Sequence, residues 1–124
     1  MNAVDRARLA YASPSQPVRT ARDIEYDAFA RVTYRLRAAA GDDSFPRLAE
    51  ALHDNRELWV ALAGDVAGEG NDLPAPLRAR IFYLNEFTRQ HSSKVLKGDA
   101  TPDVLIEINT SVMRGLRHAG GGGS

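Results

Sequence analysis

Apolar residues recur at helical spacing along most of the chain, and the longest such stripe runs from Phe45 to Val66. Its members follow one another at alternating steps of three and four residues: Phe45, Leu48, Leu52, Asn55, Trp59, Leu62 and Val66. This spacing predicts a helix of about six turns with one continuous apolar face. We expect it to end near Ala67, although Gly64 weakens the helix locally.

Two helices are expected before this stripe. Residues 2–12 are rich in Ala and Arg and predict a short amphipathic helix, which ends at the two prolines of residues 13–17. Thr20 is a suitable N-cap for a longer helix that reaches about Ala40, and Gly41 is a natural stop.

Two more helices are expected after the central one, because Pro residues stand where helices begin. They cover about Ala75 to Lys97 and Pro102 to about Arg117. Residues 119–124 end in GGGGS, which has the composition of a flexible linker. The sequence therefore predicts one all-α domain over residues 1–118. We expect an up-and-down bundle of four main helices plus the short N-terminal helix.

Composition narrows the classes of function. The chain has 124 residues, 16 basic and 16 acidic side chains, and no cysteine. Binding to nucleic acid normally needs an excess of basic residues, so no DNA partner is expected and RNA is disfavoured. Disulfides are excluded, and no apolar run has the length of a signal peptide core or a membrane span. We expect a cytoplasmic protein with no membrane contact.

Residues that could support catalysis occur without the partners that catalysis needs. Glu50 and His53 have the Glu-x-x-His spacing of di-iron bundles, but the motif occurs once and those sites need it twice. His91 lies on an apolar stripe, where a histidine is usually a satisfied boundary residue. No glycine-rich phosphate loop follows a strand. We therefore expect no enzymatic activity, no metal and no cofactor.

Two segments hold more apolar residues than one buried stripe needs. Residues 81–84 (IFYL) and residues 104–106 (VLI), with Ile108 and Met113, extend around most of a helix. Both helices could be buried on several sides of the bundle. Alternatively, they expose a groove for another amphipathic helix.

Three side chains have two interpretations each. Asn55 and Asn109 interrupt apolar stripes, and we favour a structural role in which each bonds to a loop or a neighbouring helix end. Binding to a partner's backbone is the alternative. Trp59 is favoured as a core residue, and it is also a candidate binding anchor because Trp is frequent among binding hot spots.

Three blocks of sequence carry a family resemblance. They are residues 55–59 (NRELW), residues 71–79 (NDLPAPLRA) and residues 105–116 (LIEINTSVMRGL). In order and spacing they resemble the FlaF family of flagellar biosynthesis regulators from alphaproteobacteria. The resemblance extends from about Ala3 to Leu116, and the GGGGS tail is not part of it.

This resemblance implies a non-enzymatic role in making flagellin available for export, in balance with FlbT, a second regulator that restrains flagellin translation. Our leading hypothesis is a secretion chaperone that masks a terminal amphipathic helix of flagellin. The alternative is a post-transcriptional regulator that acts on flagellin mRNA or on an FlbT-like protein. A structural adaptor at the export gate is a third option.

The hypothesis places flagellin in a groove between the last two predicted helices. Its candidate flagellin-binding residues are Trp59, Leu77, Ile81, Phe82, Leu84, Ile106, Asn109 and Met113.

Overall fold

A computed structural model describes residues 21–120 of the chain, and the side chains of residues 23–118. This range forms four helices: α1 (Ala21–Ala40), α2 (Phe45–Ala67), α3 (Ala75–Leu96) and α4 (Asp103–Gly120). No strand occurs within it. The predicted all-α fold is therefore confirmed for this part of the chain. The predicted short helix at residues 2–12 and the end of the GGGGS tail lie outside the described residues.

The start of α2 shows how local sequence sets a helix boundary. Ser44 is the N-cap, and its Oγ accepts a hydrogen bond from the backbone N–H of Arg47 at 3.4 Å. The backbone N–H of Ser44 in turn donates to Asp42 Oδ1 at 3.0 Å, and Arg47 pairs with the same carboxylate at 2.7 Å. Pro46 is accommodated in the first turn, where its missing N–H has no cost.

The four helices form an up-and-down bundle. Helix α1 packs closely on both α2 and α4, whereas α3 packs mainly on α2 and makes the fewest close contacts with α4. Arg80, near the start of α3, reaches Ser111 in the middle of α4. His91, near the end of α3, reaches Thr101 just before α4 begins. These two pairs show that α3 and α4 run antiparallel.

The core consists of two apolar clusters. The cluster nearer the loop at residues 68–74 contains Phe29, Trp59, Leu62, Val66, Leu73, Ile81, Leu84, Val112 and Leu116. The cluster at the other end contains Leu36, Ala39, Ala51, Leu52, Val95 and Leu105. Along every helix, buried polar residues separate the two clusters. This buried polar layer consists of Thr33, Asn55, Thr88, Ser92 and Asn109.

The burial of individual side chains shows which residues of the predicted stripe from Phe45 to Val66 face the core. Trp59 is completely buried, which confirms the interpretation that it is a core residue. Phe45 is an exception to the predicted buried face, because 57% of its surface is exposed. It is the first residue of α2 and therefore lies at the end of the bundle, where less of the core surrounds it.

Candidate functional site: an exposed apolar face on two helices

Large apolar side chains are exposed mainly on α2 and α3. Among the described residues, those with substantial exposure are Tyr34, Phe45, Val60, Phe82, Tyr83 and Leu96. All except Tyr34 belong to these two helices. Exposed apolar patches commonly mark interaction sites on proteins.

Four of these residues lie along the groove between α2 and α3. At about 100° per residue, Val60 is about 60° from Phe45 around α2, and Leu96 is about 40° from Phe82 around α3. The pair on α2 lies away from the flank of α2 that faces α1. The pair on α3 likewise lies away from the flank of α3 that faces α4. We call the surface formed by Phe45, Val60, Phe82 and Leu96 the α2–α3 face.

The face has an apolar patch near each end. Because α2 and α3 are antiparallel neighbours, Phe45 at the start of α2 lies towards Leu96 at the end of α3. Val60 and Phe82 both lie about seven residues from the intervening loop, and form the second patch. At 1.5 Å per residue, the two patches are about 21 Å apart. A partner helix of about four turns would contact both.

Polar residues occupy the surface between the two patches. Arg89 Nε donates to Glu86 Oε2 at 3.1 Å, and Gln90 Nε2 donates to Glu86 Oε1 at 3.0 Å. The bonds from Arg89 and then Gln90 lower the pKa of Glu86 to about 2. On α2, the exposed Arg56 lies between Phe45 and Val60. The face therefore combines apolar ends with a charged centre.

A separate cavity of about 350 Å³ lies between the end of α1 and the start of α2. Its charged residues largely pair with one another: Arg47 contacts Asp42 at 2.7 Å, and Arg35 approaches Asp54 at 3.9 Å. Because four of its five charged residues pair in this way, the cavity is a weaker candidate than the α2–α3 face.

Four of the eight predicted binding residues are buried in the core. Trp59, Ile81 and Asn109 have no exposed surface, and Leu84 is 8% exposed. Their assignment to an open groove is corrected by this burial, because a partner cannot contact them in the observed arrangement. Apolar spacing places a residue on a helix face, but it does not show whether another helix of the same chain covers that face.

Two further predicted residues lie on a different side of the bundle. Ile106 and Met113 share one stripe of α4 with Arg117, at steps of seven and four residues. Arg117 lies over the ring of Tyr26 in α1, at 5.4 Å from its centroid. This stripe therefore faces α1, and the predicted groove that joined these residues to α3 is not formed.

Leu77 and Phe82 are the remaining predicted residues. Leu77 is half-buried and lies so close to Gly115 that a Cβ added there would be 3.2 Å from Leu77 Cδ1. Phe82 is 44% exposed and belongs to the α2–α3 face. Val60 was not among the predicted binding residues. Its signal in the sequence is an apolar side chain directly after Trp59, one position off the buried stripe.

The two asparagines bond to other side chains rather than to loops or helix ends. Asn109 Nδ2 donates to Asn55 Oδ1 at 2.7 Å and to Thr33 Oγ1 at 3.1 Å. Trp59 Nε1 donates to Asn109 Oδ1 at 2.9 Å. The predicted partners were therefore wrong, and the asparagines lie in a network that connects α1, α2 and α4.

Neither a metal-binding cluster nor a membrane-spanning helix occurs among the described residues. Between residues 21 and 120, no group of three or more His, Cys, Asp or Glu side chains could hold a metal ion. Glu50 and His53 are both exposed. The half-buried His91 bonds to the carbonyl of Thr101 at 2.9 Å, as expected for a satisfied boundary histidine. No helix in this range has the length and apolarity to cross a membrane.

Comparison with known proteins gives one result. A family model described as flagellar protein FlaF matches residues 7–116. The match covers all three sequence blocks and nearly the whole bundle. No curated protein and no solved structure matches the chain significantly.

Proposed function

The chain belongs to the FlaF family of flagellar proteins, and from this premise we propose that it binds flagellin as a secretion chaperone. In this proposal, a terminal amphipathic helix of flagellin lies along the α2–α3 face until export. The observation that carries the proposal is the concentration of exposed apolar side chains on one face of a small bundle from a flagellar family.

Helix-in-groove packing accounts for how such a face would act. An amphipathic helix presents apolar residues at steps of three and four, and Val60 and Phe82 would bury against them. Fully burying a side chain of this size contributes roughly 1.5–3 kcal/mol before the cost of association is subtracted. We therefore expect reversible binding, which suits a chaperone that must release its client.

Size-exclusion chromatography with light scattering tests the proposal on mixtures with monomeric flagellin. Flagellin would be used intact and with either terminus removed. A complex that disappears when one terminus is removed supports the chaperone and identifies the bound helix. No complex with any form, at tens of micromolar and moderate salt, contradicts it. Affinity for flagellin mRNA that falls steeply with salt would instead favour the post-transcriptional alternative.

Matched surface variants test the α2–α3 face itself. Val60→Ser and Phe82→Ser change side chains that are 62% and 44% exposed, so stability should change by no more than about 0.5 kcal/mol. Both should weaken the complex. Tyr34→Ser is the control, because this residue is 72% exposed on α1. Equal effects of all three variants, or no effect of any, would argue against this face.

A further inference from the structure

Helix α3 carries most of the unsatisfied polar groups in the described part of the chain. Its buried Arg78 Nε, Thr88 Oγ1 and Ser92 Oγ have no hydrogen-bond partner. The only other such side-chain atom between residues 23 and 118 is Asn55 Nδ2 on α2. A buried polar atom without a partner loses its bonds to water and gains nothing in return. In the observed position of α3, three of its buried polar side-chain atoms therefore lack hydrogen bonds.

The other three helices are joined by the polar layer. The network of Thr33, Asn55, Trp59 and Asn109 takes side chains from α1, α2 and α4. Helix α3 supplies Thr88 and Ser92 to the same layer, but neither enters the network. These bonds therefore fix α1, α2 and α4 relative to one another and leave α3 outside.

The seam between α3 and α4 is held by few contacts. Its polar contacts are the bond from Arg80 to Ser111, at 2.9 Å, and the bond between His91 and the Thr101 carbonyl. At the other end of the seam Leu77 contacts Gly115. Arg80 is exposed and the remaining partners at this seam are half-buried or exposed, so water can compete for each bond. Beneath these contacts, α3 and α4 share the two apolar core clusters, which include Ile81, Leu84 and Val95 of α3 and Leu105, Val112 and Leu116 of α4.

Both loops that flank α3 contain a glycine in the left-handed region. Gly70 has a φ of 79° and Gly98 a φ of 81°, and within residues 21–120 no other residue has a positive φ. Helix α3 also begins without a side-chain cap, because its N-cap residue is Pro74, whose side chain has no hydrogen-bonding group. Glycine-containing loops at both ends are suitable hinges for a helix that moves as a unit.

We propose that α3 separates from α4 as a unit while α1, α2 and α4 stay together. This opening would expose the inner surface formed by Ile81, Leu84 and Trp59, which is closed to a partner in the resting bundle. The inference goes beyond the proposed function and depends only on the contacts of α3, so it holds or fails whatever the identity of the partner.

Native-state hydrogen exchange of the full chain tests the opening. Locally opening units exchange faster than the rest of a domain. We expect backbone amides of α3 to exchange about tenfold or more faster than those in the centres of α1 and α4. Equal rates in all four helices would overturn the proposal, because the bundle would then open only as a whole.

An engineered disulfide between α3 and α4 tests whether the faster exchange of α3 requires the two helices to separate. The chain has no cysteine, so Leu77→Cys combined with Gly115→Cys gives a single thiol pair across the seam. Oxidation should slow the α3 amides to the rates of α1 and α4, and reduction of the same sample should restore the difference. Arg80→Cys with Ser111→Cys, joined by a bifunctional thiol reagent, is a second lock across the seam for use if the first variant does not fold. A reagent is needed because the native contact is made by the end of the long Arg80 side chain.

The control crosslink joins α1 to α4 through Tyr26→Cys and Arg117→Cys. It uses a bifunctional thiol reagent, because these positions meet only through the ends of two long side chains and a disulfide is too short to join them. It lies outside the α3–α4 seam and should leave the exchange of α3 unchanged. If this control slows α3 as much as the seam crosslinks do, α3 does not move independently and the proposal fails.

Discussion

The indole Nε1 of Trp59 donates a hydrogen bond to Oδ1 of Asn109 at 2.9 Å, between two helices that are not neighbours in sequence. Because an indole N–H can only donate, this bond fixes the orientation of the Asn109 amide. Its Nδ2 is thereby directed to Asn55 and Thr33. The same indole packs edge-on against Phe29, with ring centroids 5.4 Å apart. One residue pair thus sets the relative position of three helices.

Asn109→Ala should be strongly destabilising. The substitution removes the acceptor of Trp59 Nε1 and the donor to Asn55 and Thr33 in a fully buried site. Unsatisfied partners and the cavity together should lower the free energy of unfolding by about 3 kcal/mol. Urea unfolding followed by Trp59 fluorescence measures this loss.

Two variants provide the comparison for Asn109. Asn55→Ala should cost less, because Asn55 accepts one of these bonds and its own Nδ2 already lacks a partner. Glu107→Ala, at an exposed position of α4, should change stability by less than about 0.5 kcal/mol. An Asn109 variant as stable as the Glu107 variant would mean that the network contributes nothing to stability.

Replacing Trp59 separates its packing from its hydrogen bond. Trp59→Phe retains an aromatic ring against Phe29 but leaves Asn109 Oδ1 without a donor, and should cost about 2 kcal/mol. Trp59→Ala also creates a large cavity, and should cost about 3–5 kcal/mol. Thermal unfolding followed by circular dichroism is suitable, since neither variant retains a tryptophan. A folded Trp59→Ala protein of unchanged stability would contradict the assignment of this residue to the core.

The helices could be predicted because their signals are local. Ser44 caps α2, Gly41 stands just after α1, and the long stripe through Trp59 fixes the face of α2 that is buried. These features depend on residues within a few turns of one another. The predicted ends of the four main helices accordingly agree with the structure to within a few residues.

The position of the site could not be predicted in the same way. The periodicity of α4 placed Ile106 and Met113 on an apolar flank, but only the packing of α4 shows that this flank faces α1. The buried bonds of Asn109 connect residues 50 or more positions apart in sequence. Such pairings follow from the three-dimensional arrangement of the helices, which a single stripe does not encode.

Gly64→Ala should stabilise the protein. Gly64 lies within α2, and a Cβ at this position would meet no atom within 4 Å. Replacing Gly by Ala inside a helix contributes about 1 kcal/mol, which corresponds to a rise in Tm of about 4 °C for a domain of this size. Thermal unfolding measures the shift, and an unchanged or lower Tm would disagree with the open surroundings of this glycine.

Gly115→Ala is the comparison for Gly64, because it makes the same change in a crowded site. The new Cβ would lie 3.2 Å from Leu77 Cδ1, so overpacking should offset part or all of the helix propensity gain. In a Leu77→Ala background this crowding is absent, and Gly115→Ala should then stabilise as Gly64→Ala does. Additive effects of the two substitutions would show that α3 and α4 are not in contact here.

The carboxyl group of Glu86 should titrate far below an ordinary glutamate. Hydrogen bonds from Arg89 and then Gln90 lower its pKa from 4.5 to about 2. Because the pKa is lower in the folded state, the stabilisation by this group is complete above about pH 4.5 and is lost as the pH falls towards 2. Side-chain carbon NMR shifts of Glu86, followed from pH 6 down to the onset of unfolding, measure the pKa directly. Arg89→Ala removes the main cause and should return the pKa towards 4.5, whereas Arg114→Ala, at an exposed position on α4, should leave it near 2. A midpoint near 4.5 in the unmodified protein would show that the Arg89–Glu86 pair does not persist in solution.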